Sequence, residues 1–209
     1  MERKTEIYIA SHSSPEDPVL EELYRQTYLR FVNPNMTSGH MQGKFLEMMS
    51  RMISPMHILE IGTFTGYSAI CMAKGLKPGG KLITIEINDE LVSFSSSFFA
   101  KAGLSDKIQQ LTGKALDIIP SLPQMFDLVF IDADKREYCD YFRIVKEKVR
   151  PGGFILVDNV LWGGKALDNN TKDQQTRGII EFNEMINKET GIENIILPVR
   201  DGIMIIRIN

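Results

Sequence analysis

The sequence contains few of the residues that build disulfide frameworks or zinc sites. It has 2 cysteines and 3 histidines among 209 residues. Cys71 and Cys139 lie in no CxxC motif, and His12, His40 and His57 have no metal-ligand spacing. We therefore expect both cysteines to be small core residues, and we expect neither a disulfide nor a zinc site.

The sequence also lacks a strong excess of charge and a long apolar run. Its 24 basic and 27 acidic side chains give a net charge of −3, so the overall charge favours neither nucleic acid nor an anionic membrane. No stretch approaches the length of a membrane span, and the charged residues 1–6 lack the apolar core of a signal peptide. We expect a cytoplasmic protein that acts on a small molecule, with no nucleic-acid or membrane partner.

Neither a repeat nor a low-complexity tract divides the chain, whose length suits one domain. We predict a single domain over residues 1–209. Its N-terminal part, residues 1–55, is predicted to be a helical lid or interface segment, and residues 56–209 are predicted to form a Rossmann-like core.

Helical spacing of apolar residues predicts a first helix over residues 17–31. A second helix is predicted through residues 45–49 and ends near Pro55. The turn-rich residues 33–40 between them are expected to fold over a ligand site.

Beyond Pro55, short apolar segments alternate with helical ones. The predicted strands are 57–62, 81–87, 108–112, 126–132, 153–158, 195–199 and 203–208. Such alternation predicts an α/β fold with a doubly wound, mostly parallel sheet. Asp201 and Gly202 are a hairpin signal, so the seventh and final strand is expected to run in the reverse direction.

Acidic residues end two of these apolar segments. The segment 126–131 is followed by Asp132, and the segment 154–157 is followed by Asp158 and Asn159. Because ligands bind at the carboxyl ends of strands in open α/β sheets, we expect the three side chains to converge. Two carboxylates and an amide oxygen suit a hard divalent cation and leave coordination positions open for a substrate.

A glycine turn follows the first core strand and precedes a helix, as in a nucleotide-binding half-domain. Phe64 stands where a dinucleotide-binding turn has its middle glycine, and Glu60 would repel a pyrophosphate. Glu86, at the end of the next strand, can accept hydrogen bonds from a ribose diol. Together these residues predict a nucleoside with a cationic, amine-bearing tail, S-adenosylmethionine. The alternatives are that Glu60 caps a helix and that Glu86 is a solvated strand end.

Five groups of residues also match the pattern of a known family. They are MTS at 36–38 with GKFL at 43–46, LEIGTFTGYS at 59–68, DADK at 132–135, DNVLW at 158–162 and LPVRDG at 197–202. On these residues the chain resembles the class I S-adenosylmethionine-dependent, metal-dependent O-methyltransferases of the caffeoyl-CoA and catechol type. The resemblance runs from about Ile7 to the C-terminus.

The resemblance implies roles for particular residues. Asp132, Asp158 and Asn159 would hold the metal, usually Mg²⁺, with Mn²⁺ or Ca²⁺ also possible. Lys135 matches the lysine assigned as general base, next to Asp132 in the same catalytic site. The cofactor site would be lined by Ser38, Glu60, Gly62, Thr63, Ser68, Glu86, Ala115 and Asp132. The family also implies a homodimer and a catechol-like or CoA-linked phenolic substrate.

Several residues depart from the family pattern. They are Gly163, Arg200 and the pair His40-Met41, and they leave the acceptor open. Lys135 needs a lowered pKa to act as a base at pH 7, through burial or an adjacent cation. The alternative is that Lys135 only pairs with a neighbouring carboxylate, Asp134 or Glu137.

The function predicted from the sequence is methyl transfer from S-adenosylmethionine to a hydroxyl group of a catechol-like molecule, assisted by a divalent cation. One alternative is methyl transfer to another oxygen or nitrogen nucleophile, such as an RNA base. Another is a nucleotide-binding module without catalytic activity. An NAD-dependent oxidoreductase is disfavoured by Phe64 in the glycine turn.

Overall fold

The computed structural model describes residues 3–168 and 170–209, so that Met1 and Glu2, part of the predicted N-terminal segment, and Asn169 lie outside it. Within these ranges a seven-stranded sheet carries helices on both faces. The strands are β1 (His57–Ile61), β2 (Lys81–Glu86), β3 (Ile108–Thr112), β4 (Phe126–Ile131), β5 (Val149–Val157), β6 (Ile192–Leu197) and β7 (Ile203–Ile208). The α-helices are α1 (Arg3–Ser11), α2 (Pro18–Arg30), α3 (Gly39–Ile53), α4 (Tyr67–Ala73), α5 (Val92–Lys101), α6 (Ala115–Ile118), α7 (Tyr138–Lys146) and α8 (Gln174–Lys188).

The strand order is β3-β2-β1-β4-β5-β7-β6. The first five strands in the chain pair in parallel, whereas β7 runs antiparallel to both β5 and β6. The predicted doubly wound sheet with a reversed final strand is therefore confirmed. The turn at Asp201 and Gly202 joins β6 to β7, as the hairpin signal predicts.

Both faces of the sheet are apolar, as expected for strands covered by helices on either side. In β1, Leu59 and Ile61 belong to one buried cluster and Ile58 to the other. Helices α6, α7 and α8 cover the first cluster, and α2, α3, α4 and α5 cover the second. Cys71 is buried in the second cluster, Cys139 packs half-buried against the first, and both are free thiols.

The register of the strands brings their carboxyl ends to one edge of the sheet. Ile61 at the end of β1 pairs with Ile85 of β2 and with Ile131 of β4, and Ile131 pairs in turn with Val157 of β5. Residues that follow these positions therefore emerge side by side. This edge carries the glycine turn and both acidic strand ends.

Helix boundaries differ most from prediction near the N-terminus. Helix α1 was not predicted, and α3 begins at Gly39, inside the residues 33–40 that were expected to form turns. Gly43 lies within α3, at its contact with α4. A Cβ atom there would lie 2.4 Å from Tyr67 Cε1, so the close approach of the two helices requires glycine.

Two strands also begin earlier in the chain than predicted. Strand β5 begins at Val149 although Pro151 and two glycines follow, and β6 begins at Ile192 on the outer edge of the sheet. Proline and glycine in β5 and polar residues in β6 weaken the apolar pattern on which strand prediction depends. Among the described residues no helix is both long and apolar enough to cross a membrane.

Candidate active site

A cleft of about 1030 Å³ opens at the carboxyl ends of the central strands. It brings together all but one of the residues predicted to form the site. Those that line it are Ser38, Gly62, Thr63, Ser68, Glu86, Ala115, Asp132, Lys135, Asp158 and Asn159. The exception is Glu60, which is fully buried beneath the cleft.

The glycine turn after β1 forms one end of the cleft. Gly62 has a φ of +97°, and a Cβ atom there would lie 2.0 Å from the carbonyl oxygen of Asp132, so the turn requires glycine. The backbone N–H groups of Phe64 and Asn88 donate to the two carboxylate oxygens of Glu86, at 2.8 and 3.0 Å. Glu86 is 9% exposed. It is a fixed part of the cleft wall, so the alternative of a solvated strand end is wrong.

Glu60 lies under this turn. Its Oε2 accepts a hydrogen bond from the hydroxyl of Thr84, and its Oε1 has no partner among the described residues. Burial raises the pKa of Glu60 to about 8, and the charges of Asp132 and Glu86 act in the same direction. No helix N–H of the described residues donates to it, which argues against a helix cap. A buried carboxyl group with an unpartnered oxygen fits a cationic or amine-bearing ligand.

Asp132, Asp158 and Asn159 line the other end of the cleft, where β4 and β5 end. Asp158 is 4% exposed. Burial raises its pKa to about 7, with a further contribution from the charge of Asp132. Two hydrogen bonds oppose this shift, one from Gln42 Nε2 at 2.6 Å and one from the backbone N–H of Asn159 at 2.8 Å. Two carboxylates that destabilise each other's charge fit a site for a cation.

The donor set is rich in oxygen. No group of three or more His, Cys, Asp or Glu side chains within residues 3–168 and 170–209 is arranged to hold a metal ion. The candidate set instead combines two carboxylates with the amide of Asn159, whose φ of +60° is a conformation that Asn tolerates better than most residues. Such a set suits Mg²⁺, Mn²⁺ or Ca²⁺ rather than zinc.

Lys135 lies against the acidic pair. Its Nζ is 2.8 Å from Oδ1 of Asp132, and its side chain is 8% exposed. Burial lowers the pKa of Lys135. The charge and hydrogen bond of Asp132, together with Tyr138, raise this pKa by more, so the net shift is upward. Without a neighbouring cation, burial therefore does not give Lys135 the lowered pKa that a base needs at pH 7.

The expected alternative partners of Lys135 are also wrong. Asp134 pairs with the guanidinium group of Arg136 and accepts a hydrogen bond from Gln175. Glu137 accepts a hydrogen bond from the hydroxyl of Tyr141. Lys135 lies three residues after Asp132 and begins a 3₁₀ turn. This turn brings the Lys135 side chain back to Asp132 at the end of β4.

Two residues of the site had no assigned role in the sequence. Gln42 on α3 donates to Asp158, and Arg200 in the turn between β6 and β7 donates to Gln42 Oε1 at 3.0 Å. Gln42 carries no motif signal, because only the packing of α3 brings it to the strand ends. Arg200 could have been found from its departure from the family pattern.

The backbone around the cleft is unusually constrained. Five non-glycine residues of the described chain have a positive φ, and four of them line the cleft. These four are Phe64, Asn159, Trp162 and Arg200. Residues in this conformation are costly and persist where surrounding contacts hold them, which occurs often at functional sites.

The fold and the cleft together define a class of protein, the class I methyltransferases. The model of the O-methyltransferase family matches residues 10–208. The chain belongs to this family of S-adenosylmethionine-dependent O-methyltransferases. The resemblance to this family that was inferred from the sequence motifs is confirmed.

Individual relatives agree with this membership. A catechol O-methyltransferase from Niastella koreensis is 39% identical over 170 residues, which cover 79% of this chain and 74% of the relative. Caffeoyl-CoA O-methyltransferase 1 from Eucalyptus globulus is 35% identical over 185 residues, covering 82% of this chain and 74% of the relative.

Solved structures extend the similarity over nearly the whole chain. An O-methyltransferase from Streptomyces achromogenes involved in tomaymycin synthesis, in complex with S-adenosylmethionine, has a TM-score of 0.90 and 33% identity, covering 99% of this chain and 96% of its own. An O-methyltransferase from Bacillus cereus in complex with S-adenosylhomocysteine has a TM-score of 0.89 and 31% identity, covering 99% of this chain and 97% of its own.

Proposed function

We propose that the protein transfers a methyl group from S-adenosylmethionine to a hydroxyl group of a catechol-like small molecule, assisted by a divalent cation. The observation that carries this proposal is that one cleft joins a glycine turn with two acidic strand ends. In the reaction the sulfonium–methyl bond breaks and a methyl–oxygen bond forms. The hydroxyl proton leaves to a base, and S-adenosylhomocysteine remains.

The cofactor is proposed to lie along the glycine turn. Glu86 is held by two backbone N–H groups with its remaining lone pairs free, so it can accept hydrogen bonds from the ribose hydroxyls. Gly62 supplies the positive φ that the turn needs. Beneath them, Glu60 supplies a carboxyl group that ionises more readily when an amino group or sulfonium lies nearby. Ser38, Thr63, Ser68, Ala115 and Asp132 complete the proposed set.

Asp132, Asp158 and Asn159 are proposed to hold the cation. When bound, a divalent cation lowers the pKa of a coordinated hydroxyl group and orients it. The three residues leave coordination positions free, which suits two adjacent hydroxyl groups of one acceptor. The fixed position of the acceptor next to the methyl donor favours in-line displacement.

Lys135 is proposed to accept the hydroxyl proton. Its Nζ lies beside Asp132, within the cleft and within reach of an acceptor at the strand ends. In the ion pair its pKa is raised, so it can act as a base only where the charge of Asp132 is neutralised. Tyr138 and Trp162 place their rings 5.1 and 5.8 Å from Nζ and exclude water from that side.

Relatives support the choice of acceptor class. Those described above carry the names catechol O-methyltransferase and caffeoyl-CoA O-methyltransferase. A vicinal diphenol, free or linked to CoA, is therefore the acceptor that we propose. Homodimer formation and a cytoplasmic location remain predictions from the sequence.

The test is methyl transfer to a small panel of catechols, with matched phenols that carry one hydroxyl group, in Mg²⁺ and in EDTA. We expect transfer to the catechols alone, and only with the cation. Transfer that is insensitive to EDTA would remove the cation from the mechanism. Equal rates with the single-hydroxyl phenols would remove the diol from the proposed acceptor. Calorimetry with S-adenosylhomocysteine and NAD separately tests the cofactor.

A further inference from the structure

The turn between β6 and β7 is attached to the loop that follows the acidic end of β5. The backbone N–H of Leu161 donates to the carbonyl of Asp201 at 2.8 Å, and that of Val160 donates to the carbonyl of Gly202 at 3.1 Å. A Cβ atom on Gly202 would lie 2.5 Å from the Leu161 side chain. The turn therefore has a fixed position relative to Asp158.

Arg200 extends from this turn to the opposite side of the cleft. One of its guanidinium nitrogens, Nη1, donates to the backbone carbonyls of Thr37, at 3.0 Å, and Ser38. Both residues line the cleft, at the end of residues 33–38, which we call the lid segment. Carbonyl groups that accept from a charged donor are held more strongly than in neutral hydrogen bonds.

The same nitrogen of Arg200, whose two N–H groups are shared among these acceptors, also reaches the acidic end of the cleft through Gln42. It donates to Oε1 of Gln42 at 3.0 Å, and Nε2 of Gln42 donates to Oδ2 of Asp158 at 2.6 Å. Gln42 is 1% exposed, so it has no competing contact with solvent. These contacts form a closed loop of interactions from Asp158 through the turn to the lid segment and back.

We propose that Arg200 is a positioning residue that latches the lid segment over the cofactor and, through Gln42, orients Asp158. The role rests on the proposed function of the cleft, but the contacts themselves do not. Without the guanidinium group, the carbonyls of Thr37 and Ser38 and the Oε1 of Gln42 each lose a donor. Binding of the cofactor then has to close the lid segment itself, which lowers the affinity.

The backbone conformation of Arg200 is strained. Its φ is +49°, a conformation that glycine adopts without strain. The variant Arg200→Gly removes the latch and relieves this strain at the same time, so it is expected to fold. Lysine in the same place keeps the charge but has a shorter reach and no planar fork, so Arg200→Lys is expected to be intermediate.

The experiment compares wild type, Arg200→Gly, Arg200→Lys, Gln42→Ala and Arg207→Ala. Arg207 is a half-exposed arginine on β7 that faces Glu193 at 3.8 Å, and it serves as the charge-matched control. We measure hydrogen exchange in residues 33–38, where the amides of Met36 and Thr37 are hydrogen-bonded. We also measure the Kd of S-adenosylhomocysteine and the Mg²⁺ concentration for half-maximal activity.

For Arg200→Gly we expect exchange in residues 33–38 and the Kd of S-adenosylhomocysteine each to rise about tenfold, because several hydrogen bonds to a charged donor are lost. Gln42→Ala removes a hydrogen-bond donor to Asp158, a proposed metal ligand, so it is expected to raise the Mg²⁺ concentration for half-maximal activity about fivefold. Hydrogen exchange in residues 33–38 is expected to stay unchanged in this variant. Arg207→Ala is expected to match wild type in all three measurements.

Unchanged exchange in Arg200→Gly would overturn the latch, whatever the acceptor of the enzyme is. Faster exchange with an unchanged Kd would show that the lid segment opens without serving the cofactor, and it would overturn the positioning role. Failure of the proposed function has a different signature, because wild type would then bind S-adenosylhomocysteine but transfer no methyl group to any catechol.

Discussion

The two ends of the cleft both use carboxyl groups, but they hold them in different ways. At the glycine turn, Glu86 is fixed by backbone N–H groups and Glu60 is enclosed by the core. At the acidic strand ends, Asp132 and Asp158 raise each other's energy and are balanced by the side chain of Lys135. The first end is therefore formed by backbone and packing, whereas the second depends on a balance of charges.

This difference separates the consequences of mutation. Loss of one charge at the acidic end changes the charge balance of all its members, since their charges interact. A change at the glycine end affects one carboxyl group within a backbone that stays in place. Variants of Asp158 or Asn159 should thus reduce turnover while leaving cofactor affinity intact, and variants of the glycine end should do the reverse.

The largest effect is expected for Asp158→Ala. Removal of this carboxylate leaves Asp132 and Asn159 as the only proposed protein ligands of the cation, so turnover in Mg²⁺ should fall more than about a thousandfold. The Kd of S-adenosylhomocysteine should stay within about twofold of wild type. Asp140→Ala, which removes an exposed carboxylate on α7, is the matched control. Residual turnover above about a tenth of wild type would remove Asp158 from the cation site.

Lys135→Ala is expected to lower turnover about a hundredfold at pH 7, the usual range for loss of a general base. The deficit should shrink as the pH rises, because the acceptor hydroxyl then ionises without assistance. Lys188→Ala on α8, where the lysine side chain is 76% exposed, is the control. A rate within about twofold of wild type would show that Lys135 only balances the charge of Asp132.

Cation binding should weaken in acid, since the ionised form of Asp158 is the ligand. Its pKa in the cation-free protein is raised to about 7, so most of it is ionised at pH 8 and little at pH 6. The Mg²⁺ concentration for half-saturation should therefore rise about tenfold between pH 8 and pH 6. Calorimetric titration with Mg²⁺ at saturating S-adenosylhomocysteine measures this. A change below about twofold would show that the charge balance at this end differs from the one described.

How far the sequence predicted the molecule also differs between regions. The strands of the core were predicted because buried parallel strands give continuous apolar segments, and Asp132, Asp158 and Glu86 follow directly from where those segments end. Their neighbours across the cleft were not predictable in this way. Gln42 and Asp158 are 116 positions apart, so their contact depends on how α3 packs.

Local charge patterns were equally uninformative about pairing. Lys135 has Asp132, Asp134 and Glu137 within a few positions, and only the conformation of the 3₁₀ turn selects Asp132. The sign of the net pKa shift of Lys135 follows from that selection and from burial together. Residue types and spacing therefore define the chemistry of the site, while tertiary packing defines its protonation.

The smallest effect is expected for Glu60→Gln, a test of the glycine end that spares turnover chemistry. The pKa of Glu60 is raised from 4.5 to about 8, so the folded, ligand-free protein binds a proton here that the unfolded chain releases. This group therefore makes the wild type less stable as the pH rises from 4.5 to about 8, and the Gln variant lacks that loss. The difference between the Tm of Glu60→Gln and that of wild type should therefore increase by a few degrees between pH 5 and pH 8. Glu184→Gln on α8, where the carboxylate is 63% exposed, should show no such trend.

A cofactor that carries an amino group should release the proton of Glu60 in wild type but not in Glu60→Gln. Calorimetry in buffers of different ionisation enthalpy measures this proton, and equal proton release in both proteins would place the cofactor's positive charge away from Glu60.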